Sequence, residues 1–196
     1  MENNNECGWS TSSQLMQEYH DSEWGVPIHD DQKLFEFLSL EGFQAGLSWS
    51  IILNKREHFR VAFDDFDWRV VAEYSSSKEL ELQQNEKIIR NKLKIKAAIG
   101  NAKAFCKIIS EFGSFNSYIW QFVNHKPIVN QFNSLNEIPA LTPIAESMSK
   151  DLKKRGFKFV GPTICYAFMQ ATGMVNDHVI SCKRHKEVQN EYKETI

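Results

Sequence analysis

The chain has 196 residues, of which 42% are hydrophobic and 24% are charged, as in an ordinary soluble globular protein with one buried core. It contains no run of about 18 apolar residues, so no transmembrane helix is predicted. The N-terminal sequence MENNNECGWS lacks the basic and apolar regions of a signal peptide, so we expect a cytoplasmic protein. In that compartment the four cysteines are expected to be free or metal-bound, not paired in disulfides.

The formal net charge of −2 excludes a protein that is covered in positive potential, but it allows a local basic face. Two clusters of basic residues are present, RNKLKIK at 90–96 and KKRGFKF at 153–159. Short lysine runs often match binding motifs by chance. Taken alone, each cluster is therefore interpreted most simply as a solvated helix face.

Hydrophobic periodicity predicts helices along most of the chain. In chain order, the predicted helices span residues 30–42, 48–63, 86–110, 114–124, 143–156 and 162–173. The stretch 86–110 carries apolar residues at intervals of three, four and seven, which is typical of a long amphipathic helix.

Several of these helices begin or end at residues that favour helix termini. Asp30 opens a pair of aspartates that are suited to capping the first predicted helix. Pro143 and Pro162 suit the first turn of their helices, and Gly156 and Gly173 suit the C-terminal caps. The local signals therefore agree with the periodicity.

The predicted fold class is all-α, because alternating strand patterns of useful length are absent. The polar stretch 129–143 is the best candidate for a loop. We expect one helical domain at 1–182, followed by a charged C-terminal tail at 183–196 that is partly disordered. The tail contains a further histidine, His185, which is not needed for the metal site considered next.

Two potential metal ligands, His178 and Cys182, lie four residues apart in the segment NDHVISC. This spacing places both side chains on one face of a helix, but a closed zinc site needs four ligands. Cys7 and His20 complete a set of two cysteines and two histidines. The spacing is not that of a zinc finger, so a zinc site and an unrelated group of side chains both remain open.

The chain resembles the bacterial 3-methyladenine DNA glycosylase I family. The resemblance is carried by CGW, YHDSEWGVP, LEGFQAGLSW, KREHFRVAF, QFVNHKP, LKKRGFKFVGPTICYAFMQATG and NDHV, in order from about residue 6 to about residue 182. It implies a divergent helix-hairpin-helix glycosylase fold with one zinc ion that joins the termini. By this resemblance the zinc ligands are Cys7, His20, His178 and Cys182. Since protein ligands fill all four positions, the zinc is expected to be structural.

The resemblance also implies a base-binding pocket around Glu41 in LEGFQAGLSW. Without it, Glu41 reads as a solvated glutamate at a helix end. The implied pocket combines Glu41 as base-recognition and catalytic residue with stacking rings from Trp9, Tyr19 and Trp49. A carboxylate and aromatic faces suit 3-methyladenine, which is cationic in DNA. Met16 stands where some relatives carry a tyrosine, which leaves the selectivity of the pocket open.

Two segments are expected to contact DNA. Gly46 and Leu47 resemble a small probe loop, in which the leucine fills the gap left by a flipped nucleotide. The segment KKRGFKFVGP resembles the hairpin of helix-hairpin-helix glycosylases, although on its own it is also an ordinary helical hairpin. Its expected contacts with phosphates come from a helix start and nearby basic or small residues. These residues are Lys154, Arg155, Gly156, Lys158 and Gly161, with Lys153 adding charge.

Three functions were weighed on these residues. The first is a monofunctional glycosylase that acts on alkylated double-stranded DNA as a monomer, with no small-molecule cofactor and no membrane partner. The second is a zinc-stabilised nucleic-acid-binding module without catalysis, which the presence of Glu41, Tyr19 and Trp49 disfavours. The third is a zinc hydrolase, which the absence of an HExxH motif disfavours. Asp177 is left with two interpretations, support of a metal-bound histidine or helix cap, or stabilisation of a developing sugar cation.

Overall fold

The computed structural model describes residues 7–194, and this part of the chain is mostly helical. The α-helices in chain order are α1 (Gln14–Ser22), α2 (Asp31–Gln44), α3 (Trp49–Ala62), α4 (Trp68–Ala72), α5 (Ser76–Gln84), α6 (Lys92–Phe112), α7 (Phe115–Ile119), α8 (Pro143–Lys154), α9 (Pro162–Ala171) and α10 (Lys183–Glu194). Short 3-10 helices lie at Gly8–Ser12, Asp64–Phe66, Trp120–Val123 and Leu135–Glu137. None of these helices is long and apolar enough to cross a bilayer.

A small parallel ladder joins two distant parts of the chain. Strands β1 (Ile128–Val129) and β2 (Val175–Asn176) pair with Ile128 opposite Val175 and Val129 opposite Asn176. Each strand has only two residues, so no alternation of side chains marks it in the sequence. The ladder anchors the polar stretch predicted as a loop beside the segment that follows α9.

The predicted helices at 30–42, 48–63, 143–156 and 162–173 are confirmed with small shifts at their ends, as α2, α3, α8 and α9. Asp30 caps α2, since its side chain accepts a hydrogen bond from the Lys33 amide at 2.9 Å. The prediction at 114–124 is divided between α7 and the 3-10 helix that follows it.

The longest predicted helix begins later than expected. Residues 86–91 form a turn, and α6 starts at Lys92. The Asn91 side chain caps it by accepting hydrogen bonds from the amides of Leu93 and Lys94 at 3.0 and 3.1 Å. The periodicity missed α1, α4 and α5, which have five to nine residues each and are too short for a clear pattern.

The expectation of a partly disordered tail is wrong for residues 183–194, which form α10. Val188 of this helix is fully buried, and His185 is also buried. The Asn176 amide donates to the His185 carbonyl at 2.9 Å, and the His185 ring bonds the Asn130 carbonyl at 2.8 Å. The sequence of α10 is polar because the buried face of this helix forms hydrogen bonds as well as apolar contacts. Hydrophobic periodicity therefore did not predict that the helix packs against the rest of the protein.

Helix α2 lies at the centre of the molecule. Every residue from 34 to 43 is buried, and the helix packs against α3, α6, α7 and α9. A helix that is apolar on all sides belongs in the core and not at the surface, which explains its mixed hydrophobic spacing. As a consequence, the carboxylates that α2 carries are taken into the interior.

Gly173, after α9, allows the N-terminal segment to approach that helix. It has a φ of +68°, and an added Cβ would overlap the backbone of Val26 and Pro27. Next to it, the Ile28 amide donates to the Thr172 carbonyl at 3.0 Å. The segment before α2 is thereby fixed against the end of α9.

We expect Gly173→Ala to lower the free energy of unfolding by about 2 kcal/mol or more, because it combines overpacking with a left-handed backbone. Gly100→Ala is the matched control, since Gly100 is exposed within α6 and no atom lies within 4 Å of the added Cβ. The control should be neutral or stabilising by about 0.5–1 kcal/mol. Urea denaturation of both variants checks this; equal stability of the two would contradict it.

Candidate functional site

A cavity of about 600 Å³ opens beside the C-terminal half of α2. Its walls come from α1, α2, α3, α9 and the 3-10 helix at Leu135–Glu137. The lining residues are Trp9, Ser12, Met16, Tyr19, Trp24, Glu41, Gln44, Ser48, Trp49, Ser50, Leu135, Ile138, Ala167 and Gln170. The structure thus brings together in one cavity all four residues expected to form a base pocket, and Met16 with them.

Glu41 is a buried carboxyl group at the wall of this cavity. Glu41 is only 3% exposed, and its Oε2 atom has no hydrogen-bond partner among the described residues. Burial raises the pKa of Glu41 to about 8, so the free protein carries it mainly as the neutral acid at pH 7. The interpretation of Glu41 as a solvated helix-end glutamate is therefore wrong.

Aromatic rings surround the carboxyl group. Tyr19 and Trp49 have ring centroids 5.4 Å apart, and Trp9 lies 6.3 Å from Tyr19. Burial and the nearby Glu41 raise the pKa of Tyr19 well above its usual value, so its hydroxyl stays protonated. The indole N–H of Trp49 is buried and has no acceptor within residues 7–194. Aromatic side chains therefore line the cavity, and two of its lining residues, Glu41 and Trp49, each carry a buried polar atom without a hydrogen-bond partner among the described residues.

Sequence reasoning missed an ion-pair network behind the aromatic wall. Arg56 on α3 donates to Glu36 at 2.7 Å and to Glu23 at 2.6 Å, which ties α3 to α2 and to the end of α1. Its guanidinium also lies 5.0 Å from the centroid of Phe37, whose ring stacks on Trp49 at 6.5 Å. The sequence did contain a sign of this ion-pair network. Glu36 interrupts the apolar run of α2, and a buried glutamate needs a partner.

The four predicted metal ligands form one buried cluster. The ligand atoms of Cys7, His20, His178 and Cys182 all lie within 4.8 Å of one another. The Cys182 sulfur is 3.6 Å from Nε2 of His20 and 3.8 Å from Nδ1 of His178. Cys7 lies 3.8 Å from the same Nδ1 atom. This cluster could hold a metal ion.

The hydrogen bonds around the cluster prepare its atoms for a metal. Nε2 of His178 bonds the Trp24 carbonyl at 3.0 Å, so this nitrogen carries the proton and Nδ1 presents a lone pair to the sulfurs. Nδ1 of His20 bonds the Asp21 carboxylate at 2.7 Å, which leaves Nε2 free in the same way. A hydrogen bond from Cys7, helped by His178 and His20, lowers the pKa of the Cys182 thiol. Two imidazole lone pairs and a thiolate suit zinc.

The metal cluster and the cavity share a wall. The Trp9 ring lies 5.4 Å from the His20 ring and 5.1 Å from Trp24, which in turn lies 4.6 Å from His178. Tyr19 of the cavity directly precedes His20 in α1. Any force that holds the cluster together therefore also positions the aromatic face of the cavity.

Asp177, next to His178, is buried and has three hydrogen-bond donors around its carboxylate. Tyr166 donates at 2.6 Å, Asn130 at 2.6 Å and Gln170 at 2.8 Å. Gln170 also lines the cavity and was missed by sequence reasoning. Asp177 thus anchors the wall around Gln170, and none of its recorded contacts is a histidine ring.

The segment 155–161 between α8 and α9, here called the hairpin loop, is a tight helical connection. At the end of α8 the Gly156 amide donates to Lys153 and the Phe157 amide to Leu152, each at 3.0 Å. These are the two bonds of a Schellman motif, and Gly156 has the positive φ, +97°, that the motif requires. The loop ends at Gly161, the N-cap of α9.

The charged residues of the hairpin differ in their availability. Lys153, Lys154 and Lys158 are exposed, and the ion pairs within residues 7–194 do not involve them. The Arg155 guanidinium pairs with Glu111 at 2.7 Å and Asp151 at 2.8 Å. These bonds connect α8 to α6, and the expected contact of Arg155 with DNA stays a prediction.

The segment 45–48 between α2 and α3, here called the wedge loop, projects from the rim of the cavity. Gly46 has a φ of +79°, and Leu47 is 36% exposed. The Leu47 amide closes the turn on the Gln44 carbonyl at 2.6 Å. Because Ser48 and Trp49 follow directly and line the cavity, Leu47 lies close to its entrance.

Known proteins resemble this chain over most of its length. A family model described as methyladenine glycosylase matches residues 9–185. DNA-3-methyladenine glycosylase 1 of Escherichia coli is 51% identical over 176 residues, which are 90% of this chain and 94% of that protein. The DNA-3-methyladenine glycosylase of Haemophilus influenzae is 46% identical over 90% of this chain and 95% of its own.

A solved structure extends the likeness to three dimensions. It is that of 3-methyladenine DNA glycosylase I from Staphylococcus aureus, a study of 3-methyladenine recognition. It superposes with a TM-score of 0.89 at 36% identity, over 91% of this chain and 95% of the other. Since the family model covers nearly the whole chain and the relatives share its fold, the chain belongs to the methyladenine glycosylase family.

Proposed function

We propose that this protein removes 3-methyladenine from alkylated double-stranded DNA by hydrolysing the N-glycosidic bond, which leaves an abasic site. The observation that carries the proposal is the buried Glu41, which lines an aromatic cavity of about 600 Å³ and whose Oε2 atom has no hydrogen-bond partner among the described residues, in a chain of this family. A cavity of this kind accepts a flat base that has been turned out of the duplex.

Charge supplies the selectivity over normal adenine. In the free protein Glu41 has a pKa of about 8 because burial disfavours its ionised form. A cationic base that enters the cavity favours the carboxylate, so Glu41 becomes ionised and accepts a hydrogen bond from the exocyclic amine. The rings of Tyr19 and Trp49 stack on the base and favour a cation over neutral adenine. Normal adenine offers no such charge.

The protein needs to supply little further catalytic assistance, because the cationic purine is already a good leaving group. The methylated purine is positively charged, so it leaves with the electron pair of the glycosidic bond as a neutral base. Water adds to the anomeric carbon and releases a proton to solvent. We assign Glu41 to recognition and to electrostatic stabilisation, not to general base catalysis. Asp177, which is engaged by Tyr166, Asn130 and Gln170, is assigned to support of the cavity wall.

The hairpin loop and the wedge loop are assigned to the DNA, in a divergent helix-hairpin-helix arrangement. The first-turn amides of α9, which has Gly161 as its N-cap, suit a phosphate, and Lys154 and Lys158 add charge nearby. Leu47 takes the place of the extruded nucleotide. A monomeric state and a cytoplasmic location stay predictions.

The proposed cofactor is one structural zinc ion held by Cys7, His20, His178 and Cys182. Bound zinc would supply a cross-link and no catalytic chemistry, because four protein ligands leave no open position. His20 and Cys182 are 162 residues apart, so the cross-link closes a very long loop. The role of the cluster is therefore to hold Trp9 and Tyr19 in the cavity wall.

The purified protein is expected to release 3-methyladenine from methylated duplex DNA, with little 7-methylguanine, as measured by chromatography of the free bases. Glu41→Gln should lower the single-turnover rate by roughly 10- to 1000-fold, since it removes the charge that faces the cationic base. Absence of release by protein that binds DNA and holds zinc would point instead to a binding module without catalysis.

Glu41→Gln should also change the dependence of stability on pH. The folded pKa of about 8 lies above the ordinary value of 4.5, so the wild type loses up to about 1.4 kcal/mol per pH unit as pH rises between these values. The stability advantage of Glu41→Gln should therefore grow from pH 5.5 to pH 8 and then level off. Urea denaturation measures it. Glu146→Gln, at an exposed glutamate of α8, should show no such trend, and a flat difference for Glu41→Gln would contradict the argument.

Cys7→Ser is expected to lose zinc and to lower the free energy of unfolding by about 3–5 kcal/mol, the scale for cross-linking a loop of more than 100 residues. The melting temperature should fall by about 10 °C. Cys106→Ser is the control, because Cys106 lies outside the cluster and should keep the metal. Full zinc content with unchanged melting in Cys7→Ser would refute the assignment.

A further inference from the structure

One lysine of the cluster at 90–96 is not on the surface. Lys94, in the first turn of α6, is only 8% exposed. Its ammonium group donates to the backbone carbonyls of Phe43 at 2.8 Å and Ala45 at 2.6 Å. These carbonyls lie where α2 ends and the wedge loop begins, so Lys94 holds the first residue of that loop against α6.

This burial is energetically expensive. Lysine is among the residues least often buried, and none of the ion pairs formed within residues 7–194 includes Lys94. Burial lowers the pKa of Lys94, which reflects the loss of water around its charge. The compensation comes from two charge-assisted hydrogen bonds and from the negative end of the α2 dipole. An apolar residue would fill the same space without this penalty, so the bonds to the loop are the distinctive contribution of the lysine.

The same helix also holds the hairpin loop. Asn101, two turns beyond Lys94, is buried and forms two hydrogen bonds with the backbone of Lys158. Its oxygen accepts from the Lys158 amide at 2.8 Å, and its nitrogen donates to the Lys158 carbonyl at 3.0 Å. The next residue, Phe159, has a φ of +55° and packs against Gly42 of α2. Both loops are thus attached to one side of α6.

We propose that Lys94 is a positioning residue for base excision, which fixes the wedge loop relative to the hairpin loop through α6. This inference rests on the proposed function. A leucine that replaces an extruded nucleotide is pushed outward as the bases restack, so it needs a rigid support. Lys94 provides that support from behind the loop, while Asn101 fixes the part of the protein that grips the backbone.

The test compares Lys94→Met with Lys103→Met, which makes the same change at an exposed position of α6. At saturating protein, Lys94→Met should slow single-turnover release of 3-methyladenine from duplex DNA by roughly 10- to 100-fold, the effect of a small displacement near a site. Its affinity for the free base 3-methyladenine should stay within about twofold of wild type, because the cavity itself is intact. Lys103→Met should match wild type in both measurements.

A double-mutant cycle separates positioning from general loosening. If Lys94 acts through the wedge loop, Lys94→Met should slow excision much less in a Leu47→Ala background than in the wild type. The same fold-loss in both backgrounds, or a parallel loss of free-base affinity, would overturn the inference. Should Lys94→Met melt below the assay temperature, Lys94→Leu, which also removes the N–H donors, takes its place with the same criteria.

The outcomes also distinguish this inference from the function on which it rests. If the wild type releases no 3-methyladenine, the proposed function fails. If the wild type is active and Lys94→Met behaves as Lys103→Met does, only the positioning role of Lys94 fails.

Discussion

The burial of α2 from residue 34 to residue 43 is the constraint on which the site depends. This helix has apolar neighbours on all sides, and it carries Glu41 into the interior at the edge of the cavity. Burial without a counter-charge raises the pKa of this carboxyl group to about 8, and the proposed function uses a cationic base to ionise it. Two cationic side chains contact α2. Arg56 donates to Glu36 in its first half, and Lys94 donates to the carbonyls at its C-terminal end.

The metal cluster completes the opposite wall of the cavity. Cys7 and His20 come from the start of the described chain, and His178 and Cys182 come from near its end. Trp9 and Tyr19 lie within two residues of these ligands, so the cluster that joins the termini also places two rings of the cavity. Under the proposed function, stability and base recognition are linked, because loosening this cluster would also loosen the cavity wall that carries Trp9 and Tyr19.

Much of the helical architecture was readable from local signals. Prolines at 143 and 162, the cap at Asp30 and the long amphipathic pattern of α6 act within one or two turns, and local physics alone determines them. The errors came where a partner distant in sequence decides the structure. Helix α10 looked like a solvated tail because its burial depends on Asn130 and Asn176. The interpretation of the cluster at 90–96 as a solvated face holds for Arg90, Lys92 and Lys96 but not for Lys94, whose acceptors, the carbonyls of Phe43 and Ala45, are about 50 residues away in sequence.

The sequence by itself determined the residue types of the site, through the long motifs shared with one family and the pairs of cysteine and histidine. Only the tertiary structure decided their states. Burial raises the pKa of Glu41 and so favours its neutral acid form. The fold also places one nitrogen of each histidine close to the cysteine sulfurs. It also places the Arg155 guanidinium between Glu111 and Asp151, where it connects α6 and α8. The physical reason is that ionisation and hydrogen bonding depend on neighbours in space, which a linear pattern does not contain.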